Sequence, residues 1–318
     1  MIRAGIIGGG GYTAGELIRI LVFHPQVELA FVQSESQAGK PIESVHADLI
    51  GLDLRFTKKP GLAGLDVLFL CSGHGRSGTF LEENPVSPDC AVIDLSRDFR
   101  LEKEWVYGLP ELNRETIRKS MRIANPGCFA TALQLGLLPL AQAGLLREDV
   151  HIHAITGSTG AGQSPQPTTH FSWRQNNVSI YKAFRHQHLE EIRESLEQLQ
   201  PGFPSRLNFL PIRGNFPRGI FASLYTVVDV SEEHALDLYR TFYAHAPFTH
   251  ITEVNGSLKQ VVNTNNCVLH LEKHDDQLLI VSAIDNLLKG ASGQAVENMN
   301  LIFGFDEKEG LALKAMAF

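Results

Sequence analysis

Ile6-Ile7-Gly8-Gly9-Gly10-Gly11-Tyr12-Thr13-Ala14-Gly15-Glu16-Leu17 is the stretch that decides the fold. An apolar strand ends in a turn of four glycines, and the chain runs on into an amphipathic helix with Leu17, Ile18, Leu21 and Val22. Gly8, Gly11 and the small Ala14, with Tyr12 and Thr13 between them, let the backbone approach a pyrophosphate that the helix N-terminus then holds. Glycine turns also close tight strand-to-helix corners without any ligand. This one opens the first strand–helix unit of an alternating chain, and that position favours the dinucleotide reading.

Outward from the turn, apolar runs at Leu29–Val32, Val67–Leu70 and Ala91–Leu95 alternate with helical segments. That order predicts an α/β fold with a parallel sheet covered on both faces. The second run ends in Ser34-Glu35-Ser36, where an adenosine ribose is expected. Ser34 and Ser36 suit a 2′-phosphate and so NADP, whereas Glu35 opposes one and keeps NAD as the alternative. The third run ends in Cys71-Ser72-Gly73-His74-Gly75, and His74 is read equally as lining a cofactor or as a polar loop residue.

In the second half, Asn125-Pro126-Gly127 forms a turn that delivers Cys128 to the first turn of an apolar helix. Helix N-termini favour thiolate over thiol, although on this evidence alone a small buried hydrophobe at a helix start is the better reading of a lone cysteine. The run Gly157-Ser158-Thr159-Gly160-Ala161-Gly162 is either an anion nest or a flexible loop. His186 and His188 precede a helix with Leu189, Ile192, Leu196 and Leu199 on one face. An acid or base within range of a thiol is a better use for them than a metal, with plain solvent exposure as the other reading. Arg213 and Arg218, in a loop rich in Gly and Pro, read either as a clamp suited to phosphate or carboxylate or as ordinary surface arginines. Small residues at 290–293 precede a helix through Val296, Met299 and Phe303 that is expected to return to the first domain.

The 318 residues, 43% hydrophobic and 20% charged, fit a globular chain of two domains. A net charge of -7 with no Lys/Arg cluster argues against nucleic acid. Cysteines at 71, 90, 128 and 267 have neither metal nor disulfide spacing, so no metal is expected. The most apolar stretch, Leu133–Leu146, is too short for a membrane span, and the N-terminus enters a strand at once. A cytoplasmic chain with no membrane partner is the expectation.

The order of GGGGYTAGEL (8–17), DLSRDFR (94–100), YGLPELNR (107–114), NPGCFATA (125–132), GSTGAG (157–162), HQH (186–188), GNFPRGI (214–220) and DNLLKGASGQAVENMN (285–300) resembles the N-acetyl-gamma-glutamyl-phosphate reductase family across the whole chain. The resemblance implies a semialdehyde-dehydrogenase-like architecture: an NADP-binding Rossmann domain of residues 1–127 plus 289–318, and an inserted mixed α/β catalytic and oligomerisation domain of residues 128–288. It implies NADPH-dependent reduction of an acyl phosphate in arginine biosynthesis and a homo-oligomer, dimer or tetramer. Cys128 matches the nucleophile, His186 the acid/base with His188 beside it, Arg218 a segment near substrate anions, and Asn286 one near the nicotinamide. In this scheme a histidine of near-neutral pKa protonates the reduced thioester. Glu35 stands where the family often has Arg, and Thr169–Asn177 differs from the commonest versions, which suggests another acyl group such as succinyl. The residues also admit an aspartate-semialdehyde or aminoadipate-type enzyme and, from another class, a dinucleotide-binding redox sensor without turnover.

Overall fold

The computed structural model describes residues 1–317. The chain divides into two compact units, the first comprising Met1–Gly127 with Ala291–Ala312, the second Cys128–Gly290 with the tail from Leu313.

The first unit is built on a seven-stranded sheet of β1 (Ile2–Ile7), β2 (Val27–Gln33), β3 (Phe56–Thr57), β4 (Val67–Leu70), β5 (Ala91–Asp94), β6 (Val106–Tyr107) and β7 (Arg122–Ala124). Its order is β3-β2-β1-β4-β5-β7-β6 and every pairing is parallel. The residues of β4 and β5 are all buried, as befits central strands covered on both faces. Helices α1 (Tyr12–Leu21), α2 (Ser77–Glu83) and α3 (Pro110–Ile117) join them. The strand order reverses between β1 and β4, and the crevice outside the carboxyl ends of such strands is where ligands of open α/β sheets lie. The glycine turn and His74 come directly after those two strand ends.

The second unit carries a mixed seven-stranded sheet of β8 (Val150–Thr156), β9 (Ser179–Ile180), β10 (Leu207–Arg213), β11 (Ile220–Val227), β12 (Thr249–Ile251), β13 (Cys267–His274) and β14 (Gln277–Ile284), in the order β12-β13-β14-β11-β8-β10-β9. Its helices are α4 (Cys128–Gln142), the single turn α5 (Phe171–Arg174), α6 (His188–Leu199) and α7 (Glu232–Phe242). In α4 every residue from Phe129 to Ala141 is buried, against α6, α7 and the sheet. Pro139 lies inside this helix and brings no N–H to the carbonyl of Leu135. The Tyr243 hydroxyl donates to that carbonyl at 2.5 Å, and Ser282 and Tyr239 bond the carbonyls of Ala132 and Gly136.

A π-turn at Leu288–Ser292 leads into α8 (Gly293–Phe303), which packs on α1, α3 and β5 of the first unit. The tail does not stay there, although the sequence assigned 289–318 to the first domain. Lys314 and Met316 bond Asn263 and Val262, and Ala317 bonds Lys259, so residues 313–317 belong to the second unit. The apolar periodicity of α8 ends at Phe303 and carries no information about the placement of the tail.

Candidate functional site

In the first unit, Gly8 has φ +80°, and a Cβ there would lie 2.6 Å from Cys71 and Ser72 backbone atoms, so only glycine fits this strand end. A Cβ at Gly11 would meet nothing within 4 Å. Gly11 is the N-cap of α1 and contributes no side-chain bond, and the first turn has no acidic residue. Uncapped N–H groups beside open space at the start of a ten-residue helix suit a phosphate, and the cradle therefore fits a dinucleotide pyrophosphate. Tyr12 is exposed, Thr13 half-buried, and Ala14 is buried in the helix contact. Ser34 is buried, its hydroxyl facing the Cβ position of Gly10 at 3.7 Å, while Glu35 and Ser36 are exposed. His74 is exposed, and its Nδ1 accepts the Arg97 amide at 3.2 Å.

Residues with no role assigned from the sequence support this end of the sheet. His46 bonds the Gly9 carbonyl at 2.7 Å and fills the space where a Cβ on Gly15 would be. In the DLSRDFR segment, buried Asp94 accepts from the Ser77 and Ser96 hydroxyls, both at 2.6 Å. Burial pushes the Asp94 pKa up while those two bonds oppose the rise. Asp98 accepts from the amides of Gly75 and Ser77 at the start of α2, and Arg100 donates to the Asn125 carbonyl. The motif therefore ties the β4 turn to the turn that precedes Cys128.

In the second unit, Cys128 is the first residue of α4 and half-buried. Gly290 faces it, since a Cβ on Gly290 would lie 2.8 Å from the cysteine Cβ. His186 and His188 are buried at 5% and 6% exposure, which removes the solvent-exposed reading. The His186 ring meets Phe129, the neighbour of Cys128, edge to face at 5.3 Å, and Tyr181 at 5.9 Å. Burial, then the charges of Lys182 and Arg213, push the His186 pKa down to about 4. The imidazole is thus neutral at pH 7, a correction to the near-neutral pKa expected from the sequence. Tyr181 is pushed up to about 12 by burial and by charge on Cys128, so its hydroxyl keeps its proton. Helix α6 buries His188, Glu191, Ile192, Ser195 and Leu196, a face rotated from the Leu189–Leu199 stripe because the histidine end is packed in.

Arg218 pairs with Asp285, its Nη2 at 2.8 Å and its Nε at 3.1 Å from Oδ2. Burial raises the Asp285 pKa, against the Arg218 charge and the amides of Asn263 and Leu287. Asn286 accepts the Gly219 amide at 2.7 Å and donates to the Thr159 hydroxyl at 3.0 Å, joining the 157–162 and 214–220 loops. That junction overturns the anion nest. The amides of Gly157, Ser158 and Thr159 donate to carbonyls of Gly219, Phe216 and Pro217, and those of Gly160 and Gly162 bond within the loop. Gly157 is required because a Cβ there would sit 2.3 Å from the Pro217 carbonyl oxygen.

Comparison with known proteins bears on both units. The description "Semialdehyde dehydrogenase, NAD binding domain" matches residues 3–120, and "Semialdehyde dehydrogenase, dimerisation domain" matches residues 128–286. The N-acetyl-gamma-glutamyl-phosphate reductases of Azobacteroides pseudotrichonymphae, Christiangramia forsetii and Bacteroides thetaiotaomicron are 58%, 58% and 56% identical over 322 residues, with 100% of each chain covered. Among solved structures, aspartate semialdehyde dehydrogenase II from Vibrio cholerae is similar at TM-score 0.75 and 16% identity, covering 96% of this chain and 99% of the other. Aspartate semialdehyde dehydrogenase with NADP from Candida albicans is similar at TM-score 0.75 and 15% identity, with the same coverage of 96% and 99%. These two likenesses concern the fold. With both semialdehyde dehydrogenase domains matched and full-length relatives above half identity, the chain belongs to the N-acetyl-gamma-glutamyl-phosphate reductases of the semialdehyde dehydrogenase family.

Proposed function

We propose that this chain reduces N-acetyl-γ-glutamyl phosphate to N-acetylglutamate 5-semialdehyde in arginine biosynthesis, with release of phosphate and with NADPH preferred. The observation that carries the reading is a half-buried thiol at the start of a buried helix whose next residue, Phe129, packs on the neutral buried imidazole of His186, with protonated Tyr181 against the same ring. The Gly8–Ala14 turn is proposed to hold the pyrophosphate, with Ser34 and Ser36 toward the 2′-phosphate and exposed Glu35 turned to solvent. His74 is proposed beside the same ligand and Asn286 as the residue that organises the loops near its nicotinamide end. A bound nicotinamide dinucleotide supplies hydride.

The protein's own part begins with the Cys128 proton. Neutral His186 accepts it, and the imidazolium gains stability from the thiolate it creates. The sulfur adds to the acyl carbon, the C–S bond forms, and the C–O bond to phosphate breaks. Reduction of the thioester leaves an oxyanion that takes the proton held by His186. As the C–S bond of the resulting hemithioacetal breaks, the O–H proton returns through His186 to sulfur, so that the aldehyde leaves and Cys128 recovers the thiol. Tyr181, still carrying its proton, donates to oxygen in the same space. Arg218, fixed by Asp285, steadies the 214–220 loop beside the anions.

Steady-state kinetics in the phosphate-dependent oxidative direction test this reading, with N-acetyl- and N-succinyl-glutamate semialdehyde, aspartate semialdehyde, NADP and NAD. Turnover of an acylglutamate semialdehyde is expected. Cys128→Ser is expected to remove it by about 10³-fold or more while cofactor binding persists. Preference for aspartate semialdehyde, or full activity in Cys128→Ser, overturns the proposal. We also place the chain in the cytoplasm and expect it to self-associate through the second unit; among the described residues no helix is long and apolar enough to cross a membrane.

A further inference from the structure

The anions of an acyl-phosphate substrate need a cation near the thiol, and the cations of the second unit differ in what already neutralises them. Arg218 is held by the Asp285 carboxylate. Arg174 spends its guanidinium on the carbonyls of Thr168, Asn177 and Arg213 and on the Ser179 hydroxyl. Lys182 is exposed and donates to Gln187 at 2.8 Å. Among the described residues Arg213 meets no carboxylate or carbonyl in this way, and the one side chain it hydrogen-bonds is that of Tyr181. The arginine ends β10, is half-buried, and its Nε has no hydrogen-bond acceptor. No carboxylate pairs with it among the described residues.

One face of its guanidinium is covered by Tyr181, 4.6 Å from the ring centroid. With its Nε unpaired, the stacked guanidinium still offers donors to a ligand in the planar fork that matches carboxylate or phosphate. The same Tyr181 responds to charge on Cys128, and the Arg213 charge acts on His186, so all four groups share one neighbourhood. The strand register explains how. Antiparallel pairing of β9 with β10 sets Ser179 opposite Arg213 and so brings Tyr181, two residues on, to the arginine.

We propose that Arg213 grips an oxyanion of the substrate beside the Cys128 thiol, as the specificity-determining cation of the site. The proposal rests on the acyl-phosphate reading for the identity of that anion, the acylglutamyl carboxylate or the phosphate. Arg218 instead fixes the neighbouring loop.

Alkylation of Cys128 by anionic iodoacetate and neutral iodoacetamide separates this proposal from turnover. In the full-length protein the iodoacetate-to-iodoacetamide rate ratio at Cys128, read by peptide mass spectrometry, is expected to exceed that of glutathione by about tenfold. Arg213→Met is expected to bring the ratio down to the glutathione value, and Arg213→Lys to keep most of it. A wild-type ratio equal to glutathione, or one unchanged in Arg213→Met, overturns the proposal even if the enzyme turns over. Equal slowing of both reagents in Arg213→Met overturns it too, because the arginine then only positions Tyr181. With an active enzyme, Arg213→Met is expected to raise one Michaelis constant about 10- to 100-fold. A rise for the acylglutamate semialdehyde assigns the carboxylate, a rise for inorganic phosphate assigns the phosphate, and no rise in either overturns the proposal.

Discussion

His186 shows how a single residue converts burial into pH dependence. In the unfolded chain its imidazole takes a proton below about pH 6.5, whereas in the folded protein it refuses one until about 4. The unfolded state therefore binds more protons across that window, and stability falls as pH falls through it. The penalty is about 3 kcal/mol at most, absent above about pH 7 and complete below about pH 4. His186→Gln cannot titrate. Urea unfolding at pH 7.5 and pH 4.5 is expected to show the wild type losing about 2–3 kcal/mol more than the variant, and equal losses would contradict the assignment. The sequence placed His186 just before a helix. It could not give the sign of this shift, because two of the burying rings, Phe129 and Phe209, come from other segments.

At the scale of the element, α4 illustrates a defect repaired by a neighbour. The Leu135 carbonyl has lost its helical donor to Pro139, and Tyr243 of the segment after α7 replaces it. Tyr243→Phe leaves a buried carbonyl unpaired and is expected to cost about 1–3 kcal/mol. Pro139→Ala restores the helical N–H, so the cost of Tyr243→Phe is expected to shrink in that background. A double-mutant cycle by urea denaturation measures the coupling, and strict additivity would rule out the repair. The sequence made α4 legible as an apolar core helix opened by the Asn125–Gly127 turn, and the glycine turn of α1 was legible for the same reason: both signals are local. Of the two readings of the 157–162 loop the anion nest fails, because the amides of Gly157, Ser158 and Thr159 are spent on residues 216–219, some sixty positions away. Arg213 and Arg218 looked equivalent in sequence, and long-range pairing to Asp285 and Tyr181 distinguishes them.

For the whole molecule, alternation of strand and helix announced the parallel sheet, and the resemblance supplied the second unit that periodicity alone did not define. Self-association belongs to this scale. The second unit matches a dimerisation domain, and Phe171, Val178, Ile180 and Phe184 leave large apolar surfaces exposed on it. Sedimentation velocity at micromolar concentration is expected to give a dimer or tetramer, and a monomer would refute the expectation. The placement of α8 has a temporal consequence. The β5, α1 and α3 surfaces that α8 covers are made before Pro126, while α8 itself ends at Phe303. At roughly 5–20 residues per second, a ribosome needs about 10–35 s to travel from one to the other. Through that interval the nascent first sheet waits with the flank that α8 covers still bare.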